Sequence, residues 1–516
     1  MVAPYKSLQT SYTSCQRCRS MCNSLEIMQR VAATFTSPRL NRSRSAQEMA
    51  NGRLQQIRFI SPVGSVGGGI SGAALDEALA QDPDFVACDA GTTDAGPFSL
   101  GAGIPAFPRE AVKQDLSLML RAGRKANIPV IIGSAGTAGG DVHVDWVLEI
   151  VREIVAEHNL TLRTAVIYAE QDKAYLKRLL HQNRILPLDP APPISDSIID
   201  SSSRIVGMMG VEPLQQAIAD GADFVLAGRC SDSALFAAIP LMRGFPPGLA
   251  WHAGKVSECG TLVCETLGKG VVFTTISEDD ITIRPYGAGL RCTPHSVAAH
   301  SLYENADPYL HRECSGTFDL TKSTFEAIDD VTVRIRGSEF MSEPYTVKLE
   351  GAALAGYQSI IVGGIRDPYI IRQLDSWLAL VRSYIDESVS NVLGDEADKS
   401  SYSLIFHTYG VNAVMGCLEP DSKHLPHEVG IVLEATAPTQ HLAHQLAQLS
   451  RQPLLHCPIK EWAGSITAFA CLHNPAVIDR GPVYRFNLNH VAVPFTPVEM
   501  FRTHFTDLCG SEKSWF

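Results

Sequence analysis

The stretch "VIIGSAGTAGGDVHVDWVLEIVREIVAE" (residues 130–157) contains one complete strand–loop–helix unit. The apolar run Val130–Ile132 comes first, a glycine-rich loop (133–145) follows it, and the amphipathic segment Val144–Glu157 ends the unit. Short apolar runs that alternate with helices of ten or more residues are typical of βαβ units and therefore of a parallel sheet. The run does not alternate between apolar and polar residues, which is expected of a strand covered by helices on both faces.

The same unit recurs along the first half of the chain. The other predicted strands there are Ile57–Ile60, Phe85–Cys88, Thr164–Tyr168 and Phe224–Ala227, and the other predicted helices are Arg109–Ala126 and Asp172–Asn183. The Pro-, Ser- and Asp-rich residues 186–203 are predicted to form a surface loop. Beyond residue 245 the pattern changes to β-type runs, which are 271–276, 281–287, 331–337, 345–351 and 359–365, with helices at 295–304 and 368–393.

These patterns predict an α/β fold with two domains. Residues 57–393 are predicted to form a large N-terminal domain that has a mostly parallel sheet and flanking helices. The charged, polar stretch 394–401 is predicted to be a linker, and residues 402–505 are predicted to form a small α+β domain. Residues 1–56 carry eight basic and two acidic residues without a sustained apolar pattern, so we expect a disordered extension there.

The composition limits the class of partner and the cellular compartment. A net charge of −12 does not suit wrapping of a nucleic-acid backbone, and no segment is apolar for long enough to cross a membrane. The thirteen cysteines are odd in number and mostly lie in apolar runs, as reduced intracellular thiols do. We expect a cytoplasmic protein, or a mitochondrial one if the Arg- and Ser-rich residues 1–56 are a transit peptide. Cys15, Cys18 and Cys22 have a spacing that suits a metal, but no fourth ligand lies nearby.

Nearly every predicted strand of the first half ends in a glycine-rich or polar cluster. The clusters are "SPVGSVGGGISG" (61–72), "DAGTTDAG" (89–96), "GSAGTAGGDVHVD" (133–145), "AEQDK" (169–173) and "GRCSDS" (228–233). Ligands of open α/β sheets and of α/β barrels bind at the carboxyl ends of the strands. We therefore predict one site that several of these loops build together.

Anion binding is predicted for part of these clusters. The glycines at 67–69 follow a strand and precede a helix, where backbone N–H groups suit a phosphate or carboxylate, although a tight turn explains them equally well. Their spacing matches neither the dinucleotide-binding nor the P-loop pattern. Arg229 is the preferred anion-binding side chain because its charge is permanent. The predicted substrate- or anion-binding residues are Gly67, Gly68, Gly69, Thr92, Thr93, Ser134, Arg229 and Ser231.

Acid–base chemistry is predicted for other members of the clusters. Asp89 directly follows a predicted buried strand, and carboxylates near one another can differ in pKa or hold a hard cation, whereas Asp94 is alternatively a helix cap. His143 is preferred over its neighbours, because residues two apart on a helix do not face together. Lys173 assists as a base or orients a carboxylate, or is simply an ion-paired surface group. The predicted catalytic residues are Asp89, Asp94, His143, Lys173 and Asp232, and no metal ligand is assigned.

Two further hypotheses concern the second half of the chain. Cys259 is a nucleophile if His252 activates it, and an inert buried thiol otherwise. His300 and Glu304 are four residues apart, so they would share one face of a helix and form an acid–base pair.

Several motifs resemble those of the acyclic terpene utilisation protein A (AtuA) family. They are "VGMMGVEPLQQAIADGADFVLAGRCSDSALFAA" (206–238), "PPGLAWHAGKVSECG" (246–260), "LRCTPHSVAAHSLYENADPY" (290–309), "YTVKLEGA" (345–352) and "GPVYRFNLNHV" (481–491). The resemblance extends over residues 57–495 and implies a large N-terminal domain followed by a small ferredoxin-like one. The founding members belong to gene sets that degrade acyclic monoterpenoids such as citronellol and geraniol through CoA thioesters. The resemblance assigns no catalytic residue.

The resemblance and the predicted site lead to one functional hypothesis. We expect an enzyme of acyclic-terpene or branched-chain acid metabolism that acts on a small carboxylate or acyl-CoA thioester by lyase, hydratase or hydrolase chemistry. We expect a small-molecule substrate and a homo-oligomer, and we expect no binding to nucleic acid or to a membrane. The sequence gives no evidence of a cofactor, and whether a divalent metal binds is left open. The alternatives are a non-catalytic subunit or assembly module of a catabolic complex, or an enzyme of a specialised-metabolite pathway.

Overall fold

The computed structural model describes residues 56–394, 400–421 and 424–510. Its strands form a ten-stranded sheet, a seven-stranded sheet and a three-stranded sheet. The predicted basic extension, apart from its last residue, lies outside the described residues, and so do residues 395–399 of the predicted linker. Within the described ranges, no helix is both long and apolar enough to span a bilayer.

Five parallel strands form the centre of the ten-stranded sheet. In spatial order they are β1 (Ile57–Ser61), β2 (Phe85–Asp89), β3 (Val130–Gly133), β7 (Phe224–Ala227) and β4 (Thr161–Tyr168). All five correspond to predicted strands, which are confirmed. Successive side chains point to opposite faces of the sheet, and each face has its own core. Phe59 and Phe85 stack in one core, with ring centroids 5.0 Å apart, while Ile60 and Val86 lie in the other.

Helices cover both faces of this centre, which explains why its strands are continuously apolar. The helices on one face are α1 (Gly72–Leu79), α3 (Arg109–Ala126) and α4 (Asp141–Glu157). The helices on the other face are α7 (Val211–Ala219), α8 (Ala234–Met242) and α9 (Pro247–Ser257). The short helix α2 (Phe98–Ala102) lies between α1 and α3 in the chain.

Antiparallel strands flank the centre, so the sheet is mixed and the prediction of a mostly parallel sheet is wrong in this respect. On the side of β1 they are β8 (Val271–Ile276), β9 (Ile281–Tyr286), β13 (Val333–Arg336) and β12 (Thr324–Ala327), and on the side of β4 the strand is β20 (Arg502–Cys509). β9 alternates between buried and more exposed residues. This alternation is typical of an antiparallel strand with one solvated face.

The seven-stranded sheet is built around the long strand β15 (Val347–Ile365). Its other strands are β16 (Ser403–Tyr409), β17 (Val429–Ala437), β19 (Val477–Ala492), β5 (Ile185–Pro187), β6 (Arg204–Gly207) and β18 (Phe469–Cys471). The sequence predicts two strands, 345–351 and 359–365, where the structure has one. β19 pairs with β15 across the residues between the two predicted strands, and the pairing contains three register shifts. At one of these shifts Gly356 has a left-handed φ of +143°.

Strand pairing crosses the predicted domain boundary at 394–401. β15, which precedes the boundary, pairs with β17 and β19, which follow it, and β20 returns to the large sheet. Helices α12 (Leu374–Leu393) and α13 (Gln440–His456), one from each side, share the core of the seven-stranded sheet. A ferredoxin-like fold of residues 402–505 stays a prediction.

Further elements are four helices and the three-stranded sheet. They are α5 (Lys173–His181), α6 (Asp196–Ser201), α10 (Pro294–Leu302), α11 (Pro368–Arg372) and the three-stranded sheet of β10 (Leu310–Glu313), β11 (Gly316–Asp319) and β14 (Glu339–Ser342). The predicted surface loop 186–203 contains part of β5 and all of α6, so that prediction is only partly correct.

Candidate active site

The loop 228–233 follows β7 and lies at the carboxyl edge of the parallel strands, where Arg229 holds several elements together. Arg229 is only 5 % exposed. Its Nε donates to Glu350 Oε2 of β15 over 2.9 Å, and its Nη1 donates to Asp232 Oδ1 over 3.3 Å and to Ser134 Oγ over 3.1 Å. The guanidinium therefore joins its own loop to the end of β3 and to the seven-stranded sheet.

Asp89 ends β2, in register with the last residue of β3. The residue is 6 % exposed; its Oδ2 accepts the N–H of Gly91 over 3.2 Å, whereas Oδ1 is buried without a hydrogen-bond partner among the described residues. Burial and the negative charge of Asp232 raise the pKa of Asp89 well above its usual value, and Arg229 opposes this shift. Burial is the largest cause of the shift, so the interior disfavours the charged form of Asp89.

Two serines of the same loop bond to two further carboxyl groups, those of the buried Glu258 and the partly buried Glu313. Ser231 Oγ donates to Glu313 Oε2 of β10 over 2.7 Å, and Ser233 Oγ donates to Glu258 Oε2 over 3.1 Å. Burial is the largest cause of the raised pKa of Glu313, which is about 8, and of that of Glu258, which is about 7. Lys255 Nζ donates to Glu258 Oε1 over 2.6 Å and limits the second shift.

Asp89, Asp232, Glu258 and Glu313 are called the carboxyl cluster below. The side chain of Asp232 is 33 % exposed. Burial raises its pKa, Arg229 lowers it, and the charge of the exposed Asp94 raises it again. The cluster thus joins two partly exposed carboxyl groups, those of Asp232 and Glu313, to the buried ones of Asp89 and Glu258.

Glu350 differs from the carboxyl cluster because its pKa is lowered and not raised. Burial acts to raise its pKa, but the charge and hydrogen bonds of Arg229 outweigh burial, and the pKa lies below its usual value. Lys348 Nζ, 3.3 Å from Glu350 Oε1, adds to this effect. Acid and base functions are commonly assigned to neighbouring carboxyl groups whose surroundings give them different pKa values.

Glu258 also belongs to a second group with Cys259 and Glu304. Their potential ligand atoms lie within 4.8 Å of one another, and no other such group of three is found among the described residues. Lys255 Nζ, which is 4.0 Å from Glu304 Oε2 as well as bonded to Glu258, already brings a positive charge there. Burial raises the pKa of Cys259 to about 12, and its Sγ lies 2.9 Å from the hydroxyl of Tyr303, so Cys259 is a neutral thiol at pH 7.

The histidine hypotheses of the second half are not supported by the contacts. The two ring nitrogens of His252 bond to the hydroxyls of Ser338 and Ser301, over 2.6 and 2.9 Å, and not to a cysteine. His300 is buried in α10, which ends before Glu304, and Glu304 has a left-handed φ of +68°. The predicted shared helix face of His300 and Glu304 is therefore wrong.

His143 lies in a different polar environment. Its Nε2 is 3.1 Å from the carbonyl oxygen of Ser99, and its Nδ1 lies beside Gly140, close to Glu170 and Arg204. Burial, followed by the charge of Arg204, lowers the pKa of His143 to about 4, so the imidazole is neutral at pH 7. Among the described residues, the hydrogen bonds of His143 do not reach the carboxyl cluster.

Lys173 and the glycines at 67–69 are also engaged within the protein. Lys173 Nζ donates to the carbonyl oxygens of Asp200 and Ser202, over 3.0 and 2.6 Å, at the end of α6. Asp115, from α3, accepts the N–H groups of Gly67 and Gly69 at Oδ2, over 2.8 and 3.0 Å, and that of Ile70 at Oδ1 over 2.9 Å. An internal carboxylate thus takes the position that an anion would take in this loop, and the anion-binding function of the loop stays a prediction.

The threonines of the loop after β2 lie beside the cluster. Thr92 Oγ1 accepts the N–H of Asp94 over 3.0 Å, and Thr93 is buried. Of the predicted residues, the structure thus brings Asp89, Ser134, Arg229, Ser231 and Asp232 together, with Thr92, Thr93 and Asp94 at the rim, and places His143, Lys173 and Gly67–Gly69 in other contacts.

Sequence reasoning missed Glu258, which directly follows helix α9. It also missed Glu313 and Glu350. Both lie on strands far along the chain from the loops that end the parallel strands. Glu350 had one available signal, because a buried acid within the apolar pattern of a strand needs a partner. Glu313 had none, since β10 is a short strand with mixed polarity.

Comparison with known proteins gives one family match. A family model described as "Acyclic terpene utilisation family protein AtuA" matches residues 105–464. No curated protein and no solved structure matches the chain. The matched range includes every member of the carboxyl cluster except Asp89.

Proposed function

Because the chain belongs to the AtuA family of acyclic terpene utilisation proteins, we propose that it is an enzyme that acts on a small branched carboxylate or its acyl-CoA thioester. The reaction is of the lyase or hydratase type, with hydrolysis as the related alternative. The observation that carries this proposal is the carboxyl cluster, in which two groups, Glu258 and Glu313, have pKa values of about 7 and about 8. A general acid or base works best when its pKa lies near the working pH.

The proposed step moves two protons. In the hydration direction, ionised Glu258 accepts a proton from water while the water oxygen adds to the β-carbon of an unsaturated acyl group. Protonated Glu313 then gives its proton to the α-carbon, and the reverse sequence eliminates water. The higher pKa of Glu313 suits the acid, and the lower pKa of Glu258, held down by Lys255, suits the base.

Asp89 and Asp232 keep their predicted acid–base functions in this proposal. Ser231 and Ser134, which the sequence predicts to bind the substrate, instead fix the loop 228–233 that carries Asp232. We further propose a small-molecule substrate, action as a homo-oligomer and no involvement of nucleic acid. A specialised-metabolite substrate would use the same groups.

The test is an activity screen of the full chain with branched acids and acyl-CoA thioesters, followed by Glu258→Gln and Glu313→Gln. Either variant is expected to lose activity at least about a hundredfold, the usual contribution of a general acid or base. Glu339→Gln, an exposed carboxylate of the same three-stranded sheet as Glu313, is the matched control and should leave activity unchanged. Full activity of both cluster variants on a substrate that the wild type converts would refute the proposal.

One observation favours the alternative of an assembly module. Large apolar side chains are exposed in and after the edge strand β16, with Ile405 at 47 %, Val414 at 83 % and Leu418 at 74 %. Apolar side chains gathered in this way are typical of a protein interface. If Leu418→Asp disperses a complex in size-exclusion chromatography and abolishes pathway flux, while the cluster variants do not, the module is the better assignment.

A further inference from the structure

The predicted anion-binding groups are already neutralised or bonded within the protein. Arg229 is bonded to Glu350 and Asp232. The N–H groups of Gly67, Gly69 and Ile70 are bonded to Asp115, and that of Gly68 is bonded to the carbonyl oxygen of Ser65. Lys173 is bonded to backbone carbonyls. An anionic substrate that approached the carboxyl cluster would therefore meet mainly carboxyl groups. The site needs an additional positive charge if its substrate is an acid or a thioester enolate.

The charges at the carboxyl edge point to the same need. Asp89, Asp232 and Glu350 lie around Arg229, and the exposed Asp94 adds its charge to that of Asp232. Lys348 is directed at Glu350. The charge of Lys255 acts on Asp232 as well, but its ammonium is bonded to Glu258. The side of Arg229 that carries the two aspartates thus has an excess of acid.

The two aspartates are brought together by the order of the strands. Asp89 is in register with Gly133, the last residue of β3, and Ser134 comes next in the chain. Arg229 Nη1 donates to Ser134 Oγ and also to Asp232 Oδ1. Asp89 Oδ1 is enclosed and has no hydrogen-bond partner among the described residues, and one carboxylate oxygen of Asp232 is not used by Arg229. Two acidic groups thus converge, and one of them has an unpaired oxygen in the interior.

We propose that Asp89 and Asp232 bind a hard divalent cation of the Mg²⁺ or Mn²⁺ class, and that this cation holds the negatively charged group of the substrate. Such cations prefer oxygen ligands and are commonly bound by one or two carboxylates, with waters and the substrate completing the shell. The proposal that a cation binds here is argued from the positions of the two aspartates. The proposal that this cation contacts an anionic substrate rests on the proposed function.

The group of Glu258, Cys259 and Glu304 is the competing location, and two features disfavour it. The ammonium of Lys255 already lies among these residues, bonded to Glu258. Cys259, which is bonded to Tyr303, offers a soft sulfur, whereas hard cations prefer oxygen ligands. A hard cation therefore has better ligands at Asp89 and Asp232.

The test titrates the full chain with Mn²⁺, without substrate, and follows free Mn²⁺ by electron paramagnetic resonance. We expect saturable binding of one ion per chain, at least tenfold weaker in Asp89→Asn and in Asp232→Asn. Glu304→Gln, the control at the competing location, should bind as the wild type does. Competition by Mg²⁺ identifies the class of ion.

Three results would overturn the inference: no saturable binding by the wild type, unchanged binding in both aspartate variants, or loss of binding in Glu304→Gln alone. Circular dichroism of each variant shows whether it is folded. If Asp89→Asn does not fold, the more exposed Asp232 decides the question. Binding of the ion without activity on any branched acid or thioester would refute the proposed function and leave the cation site standing.

Discussion

Glu313 has a carboxyl group that favours the protonated form more strongly in the folded protein than in the unfolded chain. Its pKa of about 8, against about 4.3 in the unfolded chain, means that the native state binds the extra proton between these values. Stability from this group is therefore complete below about pH 4 and is lost as the pH rises to about 8. Glu313→Gln, which cannot ionise, should gain stability relative to the wild type across this window, by a few kcal/mol.

Urea unfolding at several pH values between 4 and 9 measures this difference. The exposed Glu339→Gln of the same small sheet is the control, and its difference from the wild type should stay nearly constant with pH. Parallel curves for the wild type and Glu313→Gln would contradict the prediction, because they would mean that Glu313 titrates alike in both states.

Glu350 is the residue that keeps the buried charge of Arg229 neutralised. Glu350→Gln retains the shape of the side chain but removes the negative charge that pairs with Arg229, whose residue is only 5 % exposed. Removal of one partner from a buried ion pair costs about 3–5 kcal/mol. Lys348→Gln removes a more exposed partner of the same carboxylate and should cost less than about 1 kcal/mol. Urea midpoints of the two variants compare the losses, and equal losses would contradict the buried pairing.

At the scale of single residues, the sequence predicts which residues lie at the edge of the sheet when they end or closely follow a buried strand, while their functions stay predictions. Asp89, Arg229 and Asp232 are found in this way, because the carboxyl ends of parallel strands meet at one edge. Lys173 satisfies the same pattern, yet its ammonium turns to the end of α6. The pattern gives the position of a backbone atom, whereas the direction of a long side chain depends on partners that are distant in sequence.

The glycine-rich loop after β1 depends on one side chain of helix α3. Asp115 accepts three backbone N–H groups from this loop, and each buried N–H left without a partner costs about 1–3 kcal/mol. Asp115→Ala should therefore lose several kcal/mol of stability, measured by thermal or urea unfolding. Acetate offers the same carboxylate in solution and should restore part of the loss, because it binds only the folded loop.

Asp76→Ala, an exposed acid on the neighbouring helix α1, controls for a general effect of acetate. If acetate stabilises both variants alike, the loop does not bind a free carboxylate. That outcome would also remove the prediction that the glycines at 67–69 hold the anion of a ligand.

At the scale of elements, the buried parallel strands are predicted well and the strands beyond residue 270 less well. A doubly covered strand has to be apolar throughout, so β2 and β3 are visible in a short window. β15 is predicted as two strands because its middle residues include small alanines and Gly356, which have weak strand preference. Pairing with β19 on one side makes the strand continuous, and a local window contains no information on that partner.

The whole molecule is joined by strands that return to sheets begun much earlier in the chain. β20, near the end of the described residues, extends the ten-stranded sheet beside β4. β5 and β6, from the first half, enter the seven-stranded sheet. A change of composition at 394–401 is visible in the sequence, but composition does not reveal which strands pair across it. The pairing of β6 with β15 also brings Glu350 of β15 close to Arg229.

A chain that ends at residue 394 should therefore not fold on its own. It would retain β15 but lose β17 and β19, and β4 would lose β20, which leaves long unpaired edges. Unpaired edges of this length promote aggregation, so the fragment 56–394 should be aggregated or lack a cooperative transition in calorimetry. The fragment 56–510 is the control and should unfold in a cooperative transition, since its sheets are complete. A monomeric fragment 56–394 with its own cooperative unfolding would instead mean that residues 57–393 are an independent domain, and that the later strands only dock onto it.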